Sequence, residues 1–188
     1  VTPHDFDNDG DIDLIAGNLG LNTRLKASKS QPIRLYYNDF DGNGKREQIL
    51  TFYIDGKEIP FANKMELEKQ MPFIKKDFLY ATDFAKASLS ELLPVKKMQE
   101  AKVFTAEYFE NAVLVNQGNL NFELKALPVE AQWSSYKDAM VIDANGDELP
   151  DVLIGGNLYE NNIQMGRLDA DYGSILINKG NCDFERSS

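Results

Sequence analysis

Residues 5–13 read Asp5-Phe-Asp7-Asn-Asp9-Gly10-Asp11-Ile-Asp13, which places five carboxylates within nine residues. Two further windows follow the same plan, Asp39-Phe-Asp41-Gly-Asn43-Gly44-Lys45-Arg-Glu47 and Asp143-Ala-Asn145-Gly146-Asp147-Glu-Leu149-Pro-Asp151. Each window carries an oxygen-bearing side chain at its positions 1, 3, 5 and 9. We call these windows the first, second and third loops. Their common spacing indicates one kind of site that is repeated along the chain.

Short apolar segments flank the three loops. Residues 14–16, 48–53 and 152–154 follow the loops directly, and residues 33–37 and 139–142 lead into the second and third. Runs of four to six such residues, bounded by Asp, Asn and Gly, are typical of β-strands. Each loop is therefore predicted to be the connection of a β-hairpin.

Two longer strings recur within the sequence. Asp13-Leu-Ile-Ala-Gly17-Asn18-Leu19 returns as Asp151-Val-Leu-Ile-Gly-Gly156-Asn157-Leu158, with one residue inserted. Val115-Asn116-Gln-Gly118-Asn119-Leu-Asn-Phe122-Glu123 returns as Ile177-Asn178-Lys-Gly180-Asn181-Cys-Asp-Phe184-Glu185, after a much shorter stretch of chain. Internal similarity of strands and turns is the mark of a propeller or a solenoid, in which one unit needs its neighbours to bury its faces.

Residues 61–100 have a different pattern, with Lys and large apolar residues at helical spacing. Asn63 followed by Glu66 is a helix-start signal, and Ser88 followed by Glu91 fits a capping box. We interpret this segment as a helical insertion between strands of the second repeat. A surface decoration is a simpler reading of it than a dedicated binding arm.

Calcium is the cation that suits these loops. It takes six to eight oxygen ligands from carboxylates, amide oxygens, backbone carbonyls and water, whereas Mg²⁺ prefers a strict octahedron that retains several waters; Mg²⁺ and Mn²⁺ stay open as alternatives. Side chains at positions 1, 3, 5 and 9 and the backbone carbonyl at position 7 would coordinate the ion. The predicted ligands are Asp5, Asp7, Asp9, Asp11, Asp13, Asp39, Asp41, Asn43, Lys45, Glu47, Asp143, Asn145, Asp147, Leu149 and Asp151.

Two other interpretations of the loops compete with this one. An EF-hand loop also begins Asp-x-Asp-x-Asp-Gly, but it needs an acidic ligand at position 12, where this chain has Ala16, Leu50 and Ile154. Asp, Asn and Gly are also ordinary turn formers, so that the loops could be polar hairpins without metal. Five clustered carboxylates in the first loop would repel one another without a cation, which favours the metal interpretation.

The loops, the apolar strands and the Gly-Asn strings together resemble the FG-GAP (VCBS) repeats of bacterial proteins and of the integrin α-subunit propeller. Residues 16–22, 56–61 and 165–173 extend the resemblance. It implies an all-β β-propeller, usually of seven four-stranded blades, with calcium between the first two strands of a blade. Three loops then imply about three blades, over residues 1–30, 31–125 and 126–188, with the helical insertion at about 61–100. Glu47 and Glu148 depart from the aspartate and glycine of the repeats.

The charge of the chain is concentrated in the loops. The formal net charge is −10, and the three loops hold twelve acidic and two basic residues, so the rest of the chain is neutral as a set. This charge argues against a polyanion such as nucleic acid or an anionic membrane surface as a partner. No apolar run approaches the roughly 20 residues needed to cross a bilayer, and the single Cys182 excludes a disulfide framework.

The chain is expected not to be an enzyme, because each candidate catalytic group has a simpler explanation. The only histidine, His4, abuts the first loop, and Cys182 occupies the turn position that Leu120 holds in the other copy. The carboxylate pairs Asp169 with Asp171 and Glu107 with Glu110 are expected to be solvated charges. The ring pairs Trp133 with Tyr136 and Tyr159 with Tyr172 would form a ligand platform or, more simply, fill spaces between blades.

The sequence thus predicts a calcium-stabilised extracellular binding or scaffold module that mediates protein–protein or cell-surface adhesion. The alternatives are a carbohydrate-binding or polysaccharide-processing propeller and a purely structural assembly domain. The expected partner is a protein or a glycan, with no membrane insertion, and open blade edges favour self-association. The expected location is secreted, periplasmic or on the bacterial cell surface.

Overall fold

The computed structural model describes residues 1–187 and is mostly β. Its strands form three antiparallel four-stranded sheets: a first sheet in the order β1-β2-β7-β8, a second in the order β5-β4-β3-β6 and a third in the order β12-β11-β10-β9. The strands are β1 (Thr2–His4), β2 (Asp13–Ala16), β3 (Ile33–Asn38), β4 (Glu47–Ile54), β5 (Lys57–Pro60), β6 (Lys102–Ala106), β7 (Ala112–Asn116), β8 (Phe122–Ala126), β9 (Asp138–Ile142), β10 (Asp151–Gly155), β11 (Ser174–Asn178) and β12 (Phe184–Arg186).

All three acidic loops connect the two strands of an antiparallel hairpin, as predicted. The first loop joins β1 to β2, the second joins β3 to β4 and the third joins β9 to β10. The pairing places His4 opposite Asp13, Asn38 opposite Glu47, and Ile142 opposite Asp151. The residue at position 9 of each loop is therefore the first residue of the strand that leaves it.

The chain divides into two compact units, whose bounds differ from the predicted ranges 1–30, 31–125 and 126–188. Val1–Arg24 and Phe109–Ser188 form one unit, the paired-sheet unit, and Leu25–Tyr108 form the other, the inserted unit. The range 31–125 would place β7 and β8 with the second sheet, but both pair into the first sheet. The first and third sheets are thus the same four-stranded meander, and only the first is interrupted.

The two recurring strings in the sequence already contained this interruption. The loop string recurs from Asp13 to Asp151, whereas the turn string recurs over the much shorter distance from Asn116 to Asn178, so the first meander is the longer of the two. The extra length lies between β2 and β7, where the chain contains the inserted unit. The predicted range 31–125 thus combined strands of two different sheets, because sequence order does not reveal that strand pairing skips over an insertion.

The repeated Gly-Asn string follows β2 and β10 and needs glycine for a steric reason. A Cβ at Gly17 would lie 2.2 Å from the carbonyl oxygen of Tyr136, and a Cβ at Gly156 would lie 2.4 Å from the amide nitrogen of Lys137. Both distances are shorter than any real contact of a methyl group. The glycines therefore permit a close approach of backbone to backbone beside the 3-10 helix Val129–Gln132 and the residues that follow it.

One apolar core holds the paired-sheet unit together. Alternate residues of β2, β7, β10 and β11 face it, and Phe6 at position 2 of the first loop meets the ring of Phe184 edge-on at 5.7 Å. Burying a side chain of this size stabilises the fold by about 1.5–3 kcal/mol. Its members are Phe6, Ile15, Val113, Val115, Leu127, Ala131, Tyr136, Val152, Ile154, Leu176, Cys182 and Phe184.

The inserted unit packs one face of the second sheet on a set of short helices. The helices are α1 (Lys64–Gln70), α2 (Phe73–Asp77), α3 (Ala81–Lys86), α4 (Leu89–Leu92) and α5 (Val95–Gln99). The side chain of Asn63 accepts the amide proton of Glu66 at 3.1 Å, and Ser88 and Glu91 form a capping box, as the sequence predicts. Within residues 1–187 no helix has the length and apolar character that a membrane span requires.

Candidate metal centres

The three acidic loops share one backbone conformation despite their different sequences. Positions 4 and 6 of each loop have positive φ, a region that glycine enters freely and other residues enter at a cost. Position 4 is Asn8, Gly42 or Gly146, with φ of 61°, 78° and 79°; position 6 is Gly10, Gly44 or Glu148, with φ of 95°, 85° and 68°. The departure of the third loop from glycine at position 6 therefore leaves its fold intact.

Side-chain oxygens inside each loop hold this conformation. The oxygen at position 1 accepts the amide proton of position 6, at 3.0 Å from Gly10, 3.0 Å from Gly44 and 3.3 Å from Glu148. The oxygen at position 5 accepts the amide proton of position 7. These bonds join Asp9 to Asp11 at 2.8 Å, Asn43 to Lys45 at 2.7 Å and Asp147 to Leu149 at 2.9 Å. The carbonyls of position 7 remain the predicted backbone ligands.

Position 9 closes each loop from inside the protein. The carboxylates of Asp13, Glu47 and Asp151 are buried, and each accepts the amide proton of position 2. The three distances are 2.8 Å from Phe6, 2.8 Å from Phe40 and 2.9 Å from Ala144. Each bond ties the start of a loop to its end, so these carboxylates have a structural role whether or not an ion is bound.

In the paired-sheet unit, the second oxygen of position 9 reaches across to the third strand. Asp13 Oδ1 accepts the amide proton of Asn116, and Asp151 Oδ1 accepts that of Asn178, both at 2.8 Å. The side chains of these two asparagines in turn donate to the carbonyl of position 8, Ile12 at 3.2 Å and Pro150 at 3.2 Å. Sequence reasoning gave these asparagines no role, although their place in the recurring turn string was the available signal.

The first loop brings together four of its five predicted carboxylates. Asp5, Asp7 and Asp9 each offer an oxygen within 4.8 Å of the others, and Asp7 also lies in a second such group with Asp13 and Cys182. The fifth, Asp11, is exposed and belongs to neither group. The loop therefore has its oxygens on one side, as a calcium ligand set would require.

Asp7 is the residue in this loop that fits a cation best. Its Oδ1 atom is buried and has no hydrogen-bond partner. Burial raises the pKa of Asp7, and the carboxylates of Asp13 and Asp9 raise it further. A cation at this point would supply the missing partner of Oδ1 and relieve the repulsion between the carboxylates, so the residues of the first loop suit calcium.

The second loop gathers a smaller set of oxygens. Asp39, Asp41 and Glu47 lie within 4.8 Å of one another, while the amide of Asn43 donates to Asp41 at 2.9 Å. Burial raises the pKa of Glu47, and the negative charges of Asp41 and Asp39 raise it further. Burial acts in the same direction on Asp39, but backbone amides from Gly44, Gly42 and Asn43 outweigh it and lower that pKa. The longer side chain of Glu47 thus still reaches the loop.

The third loop does not assemble a comparable group. Among residues 1–187, no set of three acidic, His or Cys side chains within 4.8 Å includes Asp143, Asp147 or Asp151. The amide of Asn145 donates to Asp147 at 2.8 Å. The amide proton of Leu149 and then the side chain of Asn145 lower the pKa of Asp147. These predicted ligands are held by hydrogen bonds within the loop, which makes the third loop the weakest of the candidates.

The residues weighed as catalytic candidates have other surroundings. His4 is exposed on β1, and burial together with Asp13 raises the pKa of Cys182 to about 12. Asp171 was expected to be solvated and this was wrong: it is buried and accepts the amide protons of Gly156 at 2.9 Å and Gly173 at 3.1 Å. Its carboxylate fastens the segment after β10, which residue spacing alone does not reveal.

The candidate aromatic platforms do not form as pairs. Tyr136 is buried in the core, whereas Trp133 lies partly exposed beneath the guanidinium of Arg186, 5.0 Å from its ring. Tyr159 and Tyr172 are 58% and 98% exposed. The four rings therefore differ in their environment, and only Tyr136 fills interior space.

Comparison with known proteins gives no family for this arrangement. No protein-family model, no curated protein and no solved structure matches the chain.

Proposed function

We propose that this chain is a calcium-stabilised binding or scaffold module whose first and third sheets are neighbouring blades of a β-propeller. The observation that carries the proposal is the first loop, where oxygens of Asp5, Asp7 and Asp9 converge and a buried oxygen of Asp7 lacks a partner. Calcium is the expected ion because the converging donors are hard oxygens, which it prefers.

The residues of the first loop would have different roles in binding the ion. Asp5, Asp7 and Asp9 would supply carboxylate oxygens, and Asp13 would fix the loop by its bonds to the amides of Phe6 and Asn116. The ion would neutralise charge that otherwise opposes folding. The second loop, with Asp39, Asp41 and Glu47, would take a second ion.

The module would act by presenting surfaces, and the proposal assigns it no catalytic step. The buried Cys182 thiol, with its raised pKa, is unsuited to attack a substrate, which supports this view. The role that fits best is protein–protein or cell-surface adhesion outside the cytoplasm, because calcium is plentiful there. A complete ring would need blades beyond these sheets, and self-association through open edges stays part of the proposal.

Thermal unfolding with and without calcium tests the metal directly. A ligand that binds only the folded state stabilises it by about 2.7 kcal/mol at one hundred times its Kd. We expect calcium at millimolar concentration to raise Tm by several degrees relative to EDTA, and magnesium to do so less. Melting that is the same in EDTA and in calcium would contradict the proposal.

Asp7→Asn separates metal binding from folding, with Asp77→Asn as the matched control on the exposed end of α2. The raised pKa of Asp7 means that its charge disfavours the folded loop without an ion. In EDTA the variant should therefore be as stable as the parent protein or more so, yet it should lose most of the calcium-induced shift. A full shift in Asp7→Asn would remove Asp7 from the site.

A further inference from the structure

The inserted unit carries an open cleft on the face of the second sheet that does not meet the helices. Its volume is about 570 Å³, and its lining includes Leu35, Tyr37, Arg46, Gln48, Lys102 and Phe104. Ligand-binding clefts commonly have volumes of about 300–1,000 Å³. The cleft is therefore large enough to receive several side chains of a partner.

Strand register explains why these residues share one face. Tyr37 on β3 pairs with Lys102 on β6 and with Gln48 on β4. Leu35 pairs with Phe104 in the next row. Cross-strand partners point to the same side of a sheet, so these side chains form two adjoining rows. The alternate residues Tyr36 and Ile49 point to the other side, where they are buried with the helices.

Two cations in the cleft have no acidic partner. The Arg46 guanidinium lies 5.4 Å from the centre of the Tyr37 ring, and the Lys102 ammonium lies 4.7 Å from that of Phe104. Among residues 1–187 neither forms an ion pair. Glu100 also lines the cleft, but its nearest cation is Lys96, at 4.0 Å. The cleft lining thus holds two cations and one carboxylate, and in a chain of net charge −10 this local excess of positive charge suits an acidic ligand.

The strand beside the cleft has a free edge. β6 ends the second sheet and pairs there only with β3 among the described strands, so the backbone groups of its outer edge face no neighbouring strand. Val103 and Phe104 point to opposite faces and are 42% and 48% exposed. An edge strand with large apolar side chains on both faces is a template for pairing with another chain. Lys102 is the one charged residue of β6, and an acidic partner would neutralise the charge that otherwise protects this edge.

From these two observations we propose that β6 and the adjoining cleft bind an extended acidic segment of a partner protein. The segment would add to the second sheet as a strand next to β6 through backbone hydrogen bonds. Its acidic side chains would lie on the cleft face near Lys102, with Arg46 adding positive charge, and its apolar side chains would cover Val103. This surface goes beyond the calcium proposal and names the kind of partner that the module would take.

Fluorescence anisotropy with a labelled peptide of sequence Thr-Val-Glu-Val-Glu-Val-Thr tests the proposal. The peptide alternates acidic and apolar side chains as the strand would require, and we expect saturable binding below about 1 mM. Replacing both Glu by Lys should weaken binding at least about tenfold through charge repulsion. Methylating alternate backbone nitrogens should weaken it comparably, because an added strand needs its amide protons.

Variants of the protein locate the site. Lys102→Gln should weaken peptide binding about tenfold and Arg46→Gln about threefold, while Lys76→Gln on the exposed surface of α2 should change it less than about twofold. Circular dichroism and Tm of each variant confirm folding. Because Arg46 is the eighth residue of the second loop, every titration is made at one fixed calcium concentration. The measured peptide affinity therefore tests the cleft separately from the thermal unfolding experiment, which tests calcium binding.

Four results would overturn the proposal. Equal binding of the methylated peptide would exclude strand addition, and equal binding to Lys102→Gln and Arg46→Gln would exclude the cleft. Displacement of the peptide by a galacturonic acid trisaccharide at lower concentration than by unlabelled peptide would make the ligand an acidic saccharide instead. No binding up to about 1 mM would reject the surface as a peptide site altogether.

Discussion

The paired-sheet unit contains the same turn twice, and the residue at one shared position is buried in one copy and exposed in the other. Residues 117–121 and 179–183 have matching backbone bonds, from Gln117 to Asn121 at 2.8 Å and from Lys179 to Asp183 at 2.7 Å. Leu120 and Cys182 occupy the same position, with φ of 59° and 57°. Yet Cys182 is 1% exposed and Leu120 is 86% exposed. The local sequence therefore determines the turn, and the neighbouring chain determines whether the residue at this position is buried.

The neighbour that buries the second copy is the first loop. Cys182 Sγ lies 3.5 Å from Asp13 Oδ2, and the amide of Asn178 donates to the carbonyl of Phe6 at 2.7 Å. Lys125 on β8 adds an ion pair with Asp183 at 2.5 Å. The turn of the third sheet is thus packed against the first sheet. The exposed turn at Leu120 is the place where a further sheet would pack in the same way, as the propeller proposal requires.

Asn178→Ala compared with Asn116→Ala tests this difference with the largest expected effect. The side chain of Asn178 is fully buried and bonds to Phe6, Pro150 and Gly180. Asn116 is less buried, and within residues 1–187 its side chain bonds to Ile12 and Gly118 alone. Leaving a buried polar group without a partner costs about 1–3 kcal/mol. We expect Asn178→Ala to lose about 3 kcal/mol and Asn116→Ala about 1 kcal/mol.

Urea unfolding in EDTA, followed by the fluorescence of Trp133, measures both losses. Trp133 is the only tryptophan and lies in the paired-sheet unit, so its signal reports that unit. EDTA removes any difference in calcium affinity between the variants. Equal losses would mean that the contact between the third sheet and the first loop contributes little to stability.

The hairpins and the repeated turn could be predicted from sequence, whereas the different burial of the two turn copies could not. The loops, their hairpins and the recurrence of Asn116 as Asn178 are readable because Asp, Asn and Gly at fixed spacing impose local backbone geometry. The pairing of β2 with β7 across the inserted unit could not be predicted, since it depends on which apolar faces meet after folding. The same holds for the buried position of Asp171, which tertiary contacts alone decide.

The candidate site was predictable to a similar depth. Spacing identified the carboxylates of the first two loops that the fold brings within 4.8 Å. It did not show that both oxygens of Asp13, at position 9 of the first loop, accept the amide protons of Phe6 and Asn116. Nor did it show that Asn145 bonds to Asp147 in the third loop. Ligand spacing reports which oxygens are available, and hydrogen bonding in the folded loop decides which of them remain free.

Exchanging the residues at the shared turn position gives an effect of intermediate size. Cys182→Leu inserts a larger side chain into a filled site and should cost about 1–3 kcal/mol. Leu120→Cys changes an exposed position and should alter the free energy of unfolding by less than about 0.5 kcal/mol. Urea unfolding in the presence of reductant measures both. A tolerated Cys182→Leu would mean that the first loop yields to accommodate it.

The same pair gives a chemical test of burial. Burial raises the pKa of Cys182 to about 12, so the native thiol is protonated as well as shielded at pH 8. Iodoacetamide should therefore label the Leu120→Cys variant once, at the new thiol, and leave Cys182 unmodified until urea unfolds the protein. Mass spectrometry of a tryptic digest distinguishes the two. Rapid labelling of Cys182 in the native protein would show that the turn of the third sheet detaches from the first loop.

The smallest expected effect concerns position 6 of the loops, where local sequence and backbone disagree. Glu148 adopts φ of 68° where Gly10 adopts 95°, and a residue with a Cβ pays about 1 kcal/mol for this region. Glu148→Gly should therefore stabilise the protein by up to about 1 kcal/mol, although the greater freedom of glycine in the unfolded chain offsets part of the gain.

The reverse change at the first loop, Gly10→Ala, should destabilise the protein by about 1 kcal/mol. Since no atom lies within 4 Å of the position that a Cβ at Gly10 would take, the cost would be conformational alone. Trp133 fluorescence in urea and EDTA again reports both, and a destabilised Glu148→Gly would show that the Glu148 side chain makes a favourable contribution larger than its backbone strain.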